Sequence, residues 1–174
     1  MKTKDITYIA ISAALIAICS WVSIPFPVPV TLQTLGVFLV VGLIGGKRGF
    51  LAVLIYILAG AVGVPVFSGF KGGLAVLLGS TGGYIIGFLF AAGVIWIATH
   101  FFGQRTAVLA VSMSIGLIIC YITGTLWFML VILRSAEPMS FAAVIGKSVL
   151  PFIIPDIIKI FIVLRLIKVL KGRI

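Results

Sequence analysis

Four long stretches of this sequence contain no charged residue. They cover residues 6–46, 49–70, 72–104 and 106–133 and are 41, 22, 33 and 28 residues long. A helix needs about 20 mostly apolar residues to cross the hydrocarbon core of a bilayer. Only 9% of the 174 residues are charged and 63% are apolar, whereas a soluble domain is about a quarter charged. The sequence therefore predicts an all-α integral membrane protein, and it excludes a soluble enzyme, a disordered chain and a coiled coil.

The longest stretch holds enough residues for two spans, and the proline-rich segment 25–29 divides it. About six spans result, near residues 6–24, 31–46, 50–64, 82–100, 106–133 and 149–170. The second and third are short, so tilt, a kink or a re-entrant path are open for both. No linker, low-complexity tract or internal repeat interrupts the chain. We therefore expect one membrane-embedded domain over residues 1–174, built as a six-helix bundle.

The net charge of +10 is distributed as in a membrane protein. With six spans and a cytoplasmic N-terminus, nine cationic residues lie inside: Lys2, Lys4, Lys47, Arg48, Arg105, Arg165, Lys168, Lys171 and Arg173. Three lie outside: Lys71, Arg134 and Lys147. Cytoplasmic loops carry an excess of lysine and arginine. This bias predicts that both termini are cytoplasmic, and it argues against nucleic acid as a partner.

Two charged residues of opposite sign lie within the last predicted span. Asp156 and Lys159 are three residues apart and therefore share one helical face. Each charge placed in the apolar layer costs about 2.5–3.5 kcal/mol on insertion scales. One interpretation is an ion pair that neutralises itself in the bundle centre, and the other is a polar ligand site. Pro151 and Pro155 favour the ligand site, because they free backbone carbonyls beside the pair.

Irregular backbone concentrates on the predicted outer side, in the proline-rich residues 24–30 and the glycine-rich residues 64–81. Such backbone is tolerated at membrane depth only where protein buries it or where it lines a wet cavity. This predicts a ligand pocket near the outer face. Polar, aromatic and glycine residues that could converge there are Gln33, Phe67, Gly73 and Tyr84. Thr31 is explained as a helix cap, and Lys71 as a solvated loop charge.

Small residues at helical spacing mark faces for close packing. In the first span, Ala10 and Ala14 are four apart, as are Ala13 and Ala17. This alanine strip is interpreted either as internal packing or as a docking surface for another membrane protein. Farther along the chain, Gly79, Gly83 and Gly87 are also four apart, which predicts one face that another backbone approaches.

Enzyme signatures are absent from the sequence. A single histidine, His100, supports neither a metal cluster nor a histidine-based triad. The tripeptide Gly146-Lys-Ser148 ends like a phosphate-binding loop, but that motif needs a glycine where this chain has Phe141. We therefore expect no cofactor, no metal and no ATPase activity of its own.

Five collinear motifs resemble the BioY family, the biotin-binding S-components of energy-coupling factor (ECF) vitamin transporters. They are Pro29-Val-Thr-Leu-Gln-Thr34, Gly60-x-x-Gly-x-Pro-Val-Phe67, Gly72-Gly73, Thr81-Gly-Gly-Tyr84 and Pro151-Phe…Pro-Asp-x-x-Lys159. One departure is Ser80, where the family commonly has proline. The resemblance covers the chain from its first to its last span.

The resemblance implies a six-helix S-component fold with a biotin site near the outer surface of the cell membrane. It assigns Asp156 and Lys159 to that site, and Gln33, Phe67, Gly73 and Tyr84 are further candidate contacts. It also implies a transmembrane coupling subunit, for which the alanine strip resembles the docking motif, and two cytosolic ATPases. Three alternatives remain: an intramembrane enzyme that uses Asp156 and Lys159, an ion-coupled small-molecule transporter that uses the same pair, and an S-component for another vitamin.

Overall fold

The computed structural model describes residues 2–25, 28–133 and 141–171. Within them the chain forms eight helices: α1 (Thr3–Trp21), α2 (Gln33–Ile44), α3 (Gly46–Ala61), α4 (Leu74–Leu78), α5 (Gly82–Phe102), α6 (Thr106–Leu133), α7 (Phe141–Ser148) and α8 (Leu150–Lys171). Two short antiparallel strands, β1 (Ser23–Ile24) and β2 (Val30–Thr31), join α1 to α2. Phe26, Pro27, Arg134, Glu137 and Arg173, which the sequence places in loops and at the C-terminus, lie outside the described residues.

The prediction of an all-helical membrane fold is confirmed at the level of its long helices. In the described part of the chain, three helices are long and apolar enough to cross a membrane: α1, α5 and α6. Helices α2 and α3 have only 12 and 16 residues, as the short second and third spans suggested. Helix α8 has 22 residues but carries five charged side chains. The number of crossings therefore stays a prediction.

Helix α2 occupies the middle of the bundle. It packs against α1, α3, α5 and α8, and eight of its residues are buried: Gln33, Thr34, Gly36, Val37, Phe38, Val40, Val41 and Gly42. A helix that is apolar on all sides is typical of a position enclosed by other helices. Its polar N-terminal residues are consequently buried as well, which brings Gln33 into the interior.

Helices α5 and α6 form the most extensive contact in the fold. A Cβ atom added at Gly83 would overlap Trp127, and one at Gly87 would meet Thr123 and Cys120. The predicted close approach is therefore confirmed for these two glycines. Gly79 does not share their face, because it ends α4 rather than lying in α5; its carbonyl oxygen instead accepts a hydrogen bond from Trp127 Nε1 at 2.9 Å.

Polar contacts tie the helix ends together at one end of the bundle. Arg48 and Asp5 form an ion pair of 2.6 Å, which joins the start of α3 to the start of α1. Lys171 at the end of α8 donates a hydrogen bond to Gln104, between α5 and α6. Lys2, Lys47 and Arg105 belong to the same end by their positions in these elements. The predicted inner cations of the described chain are thus concentrated at one end.

We expect chemical labelling to locate this basic end in the cytoplasm. In a variant without Cys19 and Cys120, Lys2→Cys and Arg105→Cys should resist a membrane-impermeant maleimide in intact cells, whereas Lys71→Cys should react. The physical reason is the retention of lysine and arginine on the cytoplasmic side during insertion. Permeabilised cells provide the positive control for all three variants. Labelling of Lys2→Cys or Arg105→Cys in intact cells would contradict the proposed orientation.

Candidate functional site

A cavity of about 550 Å³ lies at the other end of the bundle, beyond the ends of α1 and α3 and the beginnings of α2, α5 and α8. Its wall combines the β1–β2 hairpin, the connection between α3 and α5, and side chains of α2, α5, α6 and α8. Five of the six residues predicted to bind a ligand line it: Gln33, Phe67, Tyr84, Asp156 and Lys159. Its volume is within the range of about 300–1,000 Å³ that is usual for small-molecule sites.

Asp156 and Lys159 form a buried ion pair on α8. Their side chains are 2.7 Å apart, and the two residues are 2% and 6% exposed. Asp156 Oδ2 also accepts a hydrogen bond of 2.7 Å from the hydroxyl of Tyr121 on α6. Lys159 Nζ also donates to the backbone oxygen of Thr31 at 2.7 Å. An ammonium has three N–H donors, and the two acceptors that the described residues provide leave one donor of Lys159 for a ligand.

Gln33 is held at the first turn of α2. Its amide Nε2 donates to the hydroxyl of Tyr56 on α3 at 3.0 Å, which fixes the orientation of the side chain. Its backbone N–H donates to Thr31 Oγ1 at 3.1 Å. Thr31 thus satisfies a donor at the helix start with its hydroxyl, as the sequence suggested, and also holds Lys159 through its carbonyl. Within the described residues no donor contacts the carbonyl oxygen of the Gln33 amide, which leaves it as an acceptor beside the cavity.

Phe67 is an anchored part of the cavity wall. Its ring is 1% exposed and meets Tyr56 edge-on, with 5.6 Å between ring centroids. The ring packs against Gly60 on α3, where an added Cβ would overlap it. The close packing leaves no room for a side chain at position 60.

Tyr84 stands at the opposite wall. Its hydroxyl donates to the backbone oxygen of Ser148 on α7 at 3.0 Å and lies 3.3 Å from Thr125 Oγ1 on α6. The ring lies against Gly124, where a Cβ atom would collide with it. The ring is carried by α5 and held in place by contacts with α6 and α7.

Gly73 is not among the residues that line the cavity. It is the N-cap of α4 with φ +95°, a conformation that side chains rarely adopt. Its backbone N–H donates to the carbonyl of Gly60 at 2.6 Å. The structure thus gives Gly73 a role in the backbone turn before α4. Its contact with a ligand stays a prediction.

The alanine strip of α1 is divided between two environments. Ala10 and Ala14 are exposed, Ala13 is half-buried against the core, and Ala17 is buried at 4% exposure. Each of the two interpretations therefore fits a different part of the strip. Ala17 is internal packing, whereas Ala10 and Ala14 leave a smooth exposed face. The docking role of the strip stays a prediction.

A family model identifies the chain. The model of the BioY family matches residues 1–174. The chain belongs to the BioY family. A relative from Pyrococcus horikoshii, described as a probable biotin transporter BioY, is 38% identical over 175 residues, which are 99% of each chain. Biotin transporter BioY2 of Lactococcus lactis subsp. cremoris is 36% identical over 163 residues, which cover 93% of this chain and 87% of that protein.

The BioY assignment extends to the fold. The crystal structure of an S-component for biotin from an ECF-type ABC transporter aligns with this chain at a TM-score of 0.85 and 28% sequence identity. The alignment covers 99% of this chain and 95% of the other. This BioY chain is therefore a membrane protein with the S-component fold, and S-components are substrate-binding subunits of transporters rather than enzymes.

Two tyrosines that contact site residues of this BioY chain were not predicted from its sequence. Tyr121 binds Asp156 from 35 positions away, and Tyr56 holds Gln33 from 23 positions away. The available signal for Tyr121 was its location near the middle of the 28-residue charge-free stretch. Polar groups at the centre of a span are costly, and they usually face a polar partner or a cavity.

We expect Gly60→Ala to destabilise this BioY chain by displacing Phe67. The added methyl group overlaps an aromatic ring in a packed wall, and such overpacking costs about 1–3 kcal/mol. Thermal unfolding in detergent should show a lower Tm. Gly93→Ala in α5 is the matched control, because its Cβ would meet Phe50 at an ordinary 3.7 Å; an unchanged Tm for Gly60→Ala would contradict the packing argument.

Proposed function

We propose that this chain captures biotin in its cavity and imports it as the substrate-specific S-component of an ECF transporter in the cell membrane. The observation that carries the proposal is the buried Asp156–Lys159 pair at the cavity wall of a chain that belongs to the BioY family. Similarity to proteins described as biotin transporters over nearly the whole chain supports biotin as the ligand.

The chemistry of biotin matches the groups around the cavity. Its ureido ring has two N–H donors and one carbonyl acceptor, which suit the Asp156 carboxylate and the remaining N–H of Lys159. The sulfur-containing ring is apolar and fits between the aromatic side chains of Phe67 and Tyr84. The free amide oxygen of Gln33 offers one more acceptor at the same end. We assign these five residues to ligand binding, and Gly73 to shaping the loop that bears Phe67.

The position of the cavity relative to the membrane is part of the proposal. The end of the bundle that carries the cavity contains few basic residues, whereas the opposite end is rich in them. With both termini cytoplasmic and six helices crossing the bilayer, the cavity is near the outer surface. Residues 1–174 then act as a single substrate-binding domain that meets biotin outside the cell.

Energy for uptake comes from partner proteins in this proposal. We assign ATP hydrolysis to two cytosolic ATPase subunits and its transmission to a transmembrane coupling subunit. The exposed face of Ala10 and Ala14 on α1 provides a smooth surface for that subunit, since small side chains allow helices to approach closely. No cofactor is needed for this role, because biotin is the transported ligand.

Binding and uptake can be tested separately. Isothermal titration of the detergent-purified protein should show saturable binding of biotin, and thiamine or riboflavin should not compete. Uptake of radiolabelled biotin should require co-expression of the coupling subunit and both ATPases. Binding of another vitamin in place of biotin would indicate an S-component of different specificity. Uptake driven by a proton or sodium gradient without the ATPases would indicate an ion-coupled transporter.

A further inference from the structure

The two cationic side chains among the described residues that line the cavity have different electrostatic surroundings. Lys159 is buried and paired with Asp156 at 2.7 Å, so the net charge of that end is close to zero. Lys71 is exposed, and no described carboxylate forms an ion pair with it. One end of the cavity is thus polar and nearly neutral, while its exposed rim carries an unbalanced positive charge.

The backbone of Lys71 is held by hydrogen bonds, while its side chain is exposed. Phe67 N–H donates to the oxygen of Lys71 at 2.9 Å, and the N–H of Lys71 returns a bond of 3.3 Å to Phe67. Between them, Gly69 and Phe70 both have positive φ, +72° and +56°, which closes a tight turn. Since Phe67 is wedged against Gly60, the turn holds the Cα atom of Lys71 in place at the cavity rim.

Contacts with α1 hold the same turn. The ring of Phe70 stacks on Trp21 with 4.9 Å between centroids. Trp21 Nε1 donates to the backbone oxygen of Pro65 at 2.9 Å, just before the turn. A positive φ is uncommon for a bulky residue, and the stacking contact offsets its cost. The position of the ammonium is therefore limited to the reach of one lysine side chain from a fixed point.

We infer that Lys71 binds the carboxylate of biotin at the rim of the cavity, while the Asp156–Lys159 pair binds the neutral ureido ring. This inference rests on the proposed function and deepens it. A full negative charge beside the buried pair would face the Asp156 carboxylate, whereas at the rim it meets an unbalanced ammonium. A ureido group carries donors and an acceptor without net charge, which matches the nearly neutral end. Lys71 would therefore make the site selective for the free acid over neutral derivatives.

Titration with biotin and with its neutral primary amide, biotinamide, tests this assignment. The wild type should prefer biotin, and Lys71→Gln should weaken biotin binding by about threefold to tenfold while leaving biotinamide nearly unchanged. Lys71→Arg keeps the charge and should keep the preference. Lys47→Gln removes an exposed lysine at the opposite end of the bundle and is the control for overall charge; it should affect neither ligand. The preference of the wild type should also shrink with added salt, since exposed charges are screened.

The possible results separate the inference from the proposed function. Equal weakening of both ligands by Lys71→Gln, or no change for either, would overturn the assignment of Lys71 while biotin binding by the wild type still supports the function. Absence of biotin binding by the folded wild type would overturn the proposed function and this inference together. A comparable Tm for Lys71→Gln and the wild type shows that the comparison is between folded proteins.

Discussion

Replacing Asp156 with Asn and Lys159 with Met together is expected to give a folded protein that binds biotin about 10²–10⁴-fold more weakly than the wild type. Each charge-assisted hydrogen bond contributes about 1.5–3 kcal/mol, and two of them would be lost. The fold should survive, because removing both members of a buried ion pair leaves no unpaired charge. Isothermal titration with biotin measures the affinity, and thermal unfolding measures the stability.

The single variants and a second ion pair complete the experiment. Asp156→Asn or Lys159→Met alone leaves one buried charge without its partner, which costs about 3–5 kcal/mol, so each should unfold more easily than the double variant. Asp5→Asn with Arg48→Met removes the ion pair at the other end of the bundle and should leave biotin affinity unchanged. A folded Asp156→Asn, Lys159→Met variant with wild-type affinity would show that the pair serves only to neutralise itself.

The central pair was predictable from sequence because its geometry is local. Two charges three residues apart in an otherwise apolar span must share a helical face, and the structure places both at the cavity. Tyr121 was not predictable in the same way, because its bond to Asp156 depends on how α6 packs beside α8. The orientation of the Gln33 side-chain amide likewise depends on its hydrogen bond to Tyr56 on another helix. Local patterns thus identify the charged groups, and tertiary packing decides their partners.

Hydropathy alone does not determine how many helices of this chain cross the membrane. The charge-free stretch of 41 residues correctly divides into α1 and α2, but α2 retains only 12 helical residues because the β1–β2 hairpin uses part of the segment. In α8 the length suffices, but the helix carries five charged side chains. Two of those charges, Asp156 and Lys159, line the cavity, so the pair that makes α8 a candidate for the site also distinguishes it from the three helices that are apolar enough to cross a membrane.

The alanine strip illustrates a limit of helical periodicity. Ala10 and Ala17 lie only about 20° apart around the helix, because successive residues are separated by about 100°. Both pairs are equally smooth in the sequence. The packing of α1 against α2 and α3 turns Ala17 inward and leaves Ala10 and Ala14 exposed. The exposure of each alanine is set by the neighbours that pack at its level of α1, which helical periodicity alone does not show.

That distinction leads to an expected loss of uptake in Ala14→Trp. A tryptophan on the exposed alanine face should prevent close approach of the coupling subunit, at a cost of about 1–3 kcal/mol or more, which corresponds to an association about 5-fold to 150-fold weaker. Uptake of radiolabelled biotin and co-purification of the coupling subunit should both fall sharply. Biotin affinity of the isolated protein should stay near the wild-type value, because Ala14 faces away from the core and does not line the cavity.

Two further alanine-to-tryptophan changes make this result specific. Ala107 on α6 is also exposed but lies outside the proposed docking face, so Ala107→Trp should leave both uptake and binding intact. Ala17 is buried on α1, so Ala17→Trp should overpack the core and lower the Tm together with binding. If Ala14→Trp behaves like Ala17→Trp, the strip is internal packing throughout. If it behaves like Ala107→Trp, the coupling subunit docks on a different surface.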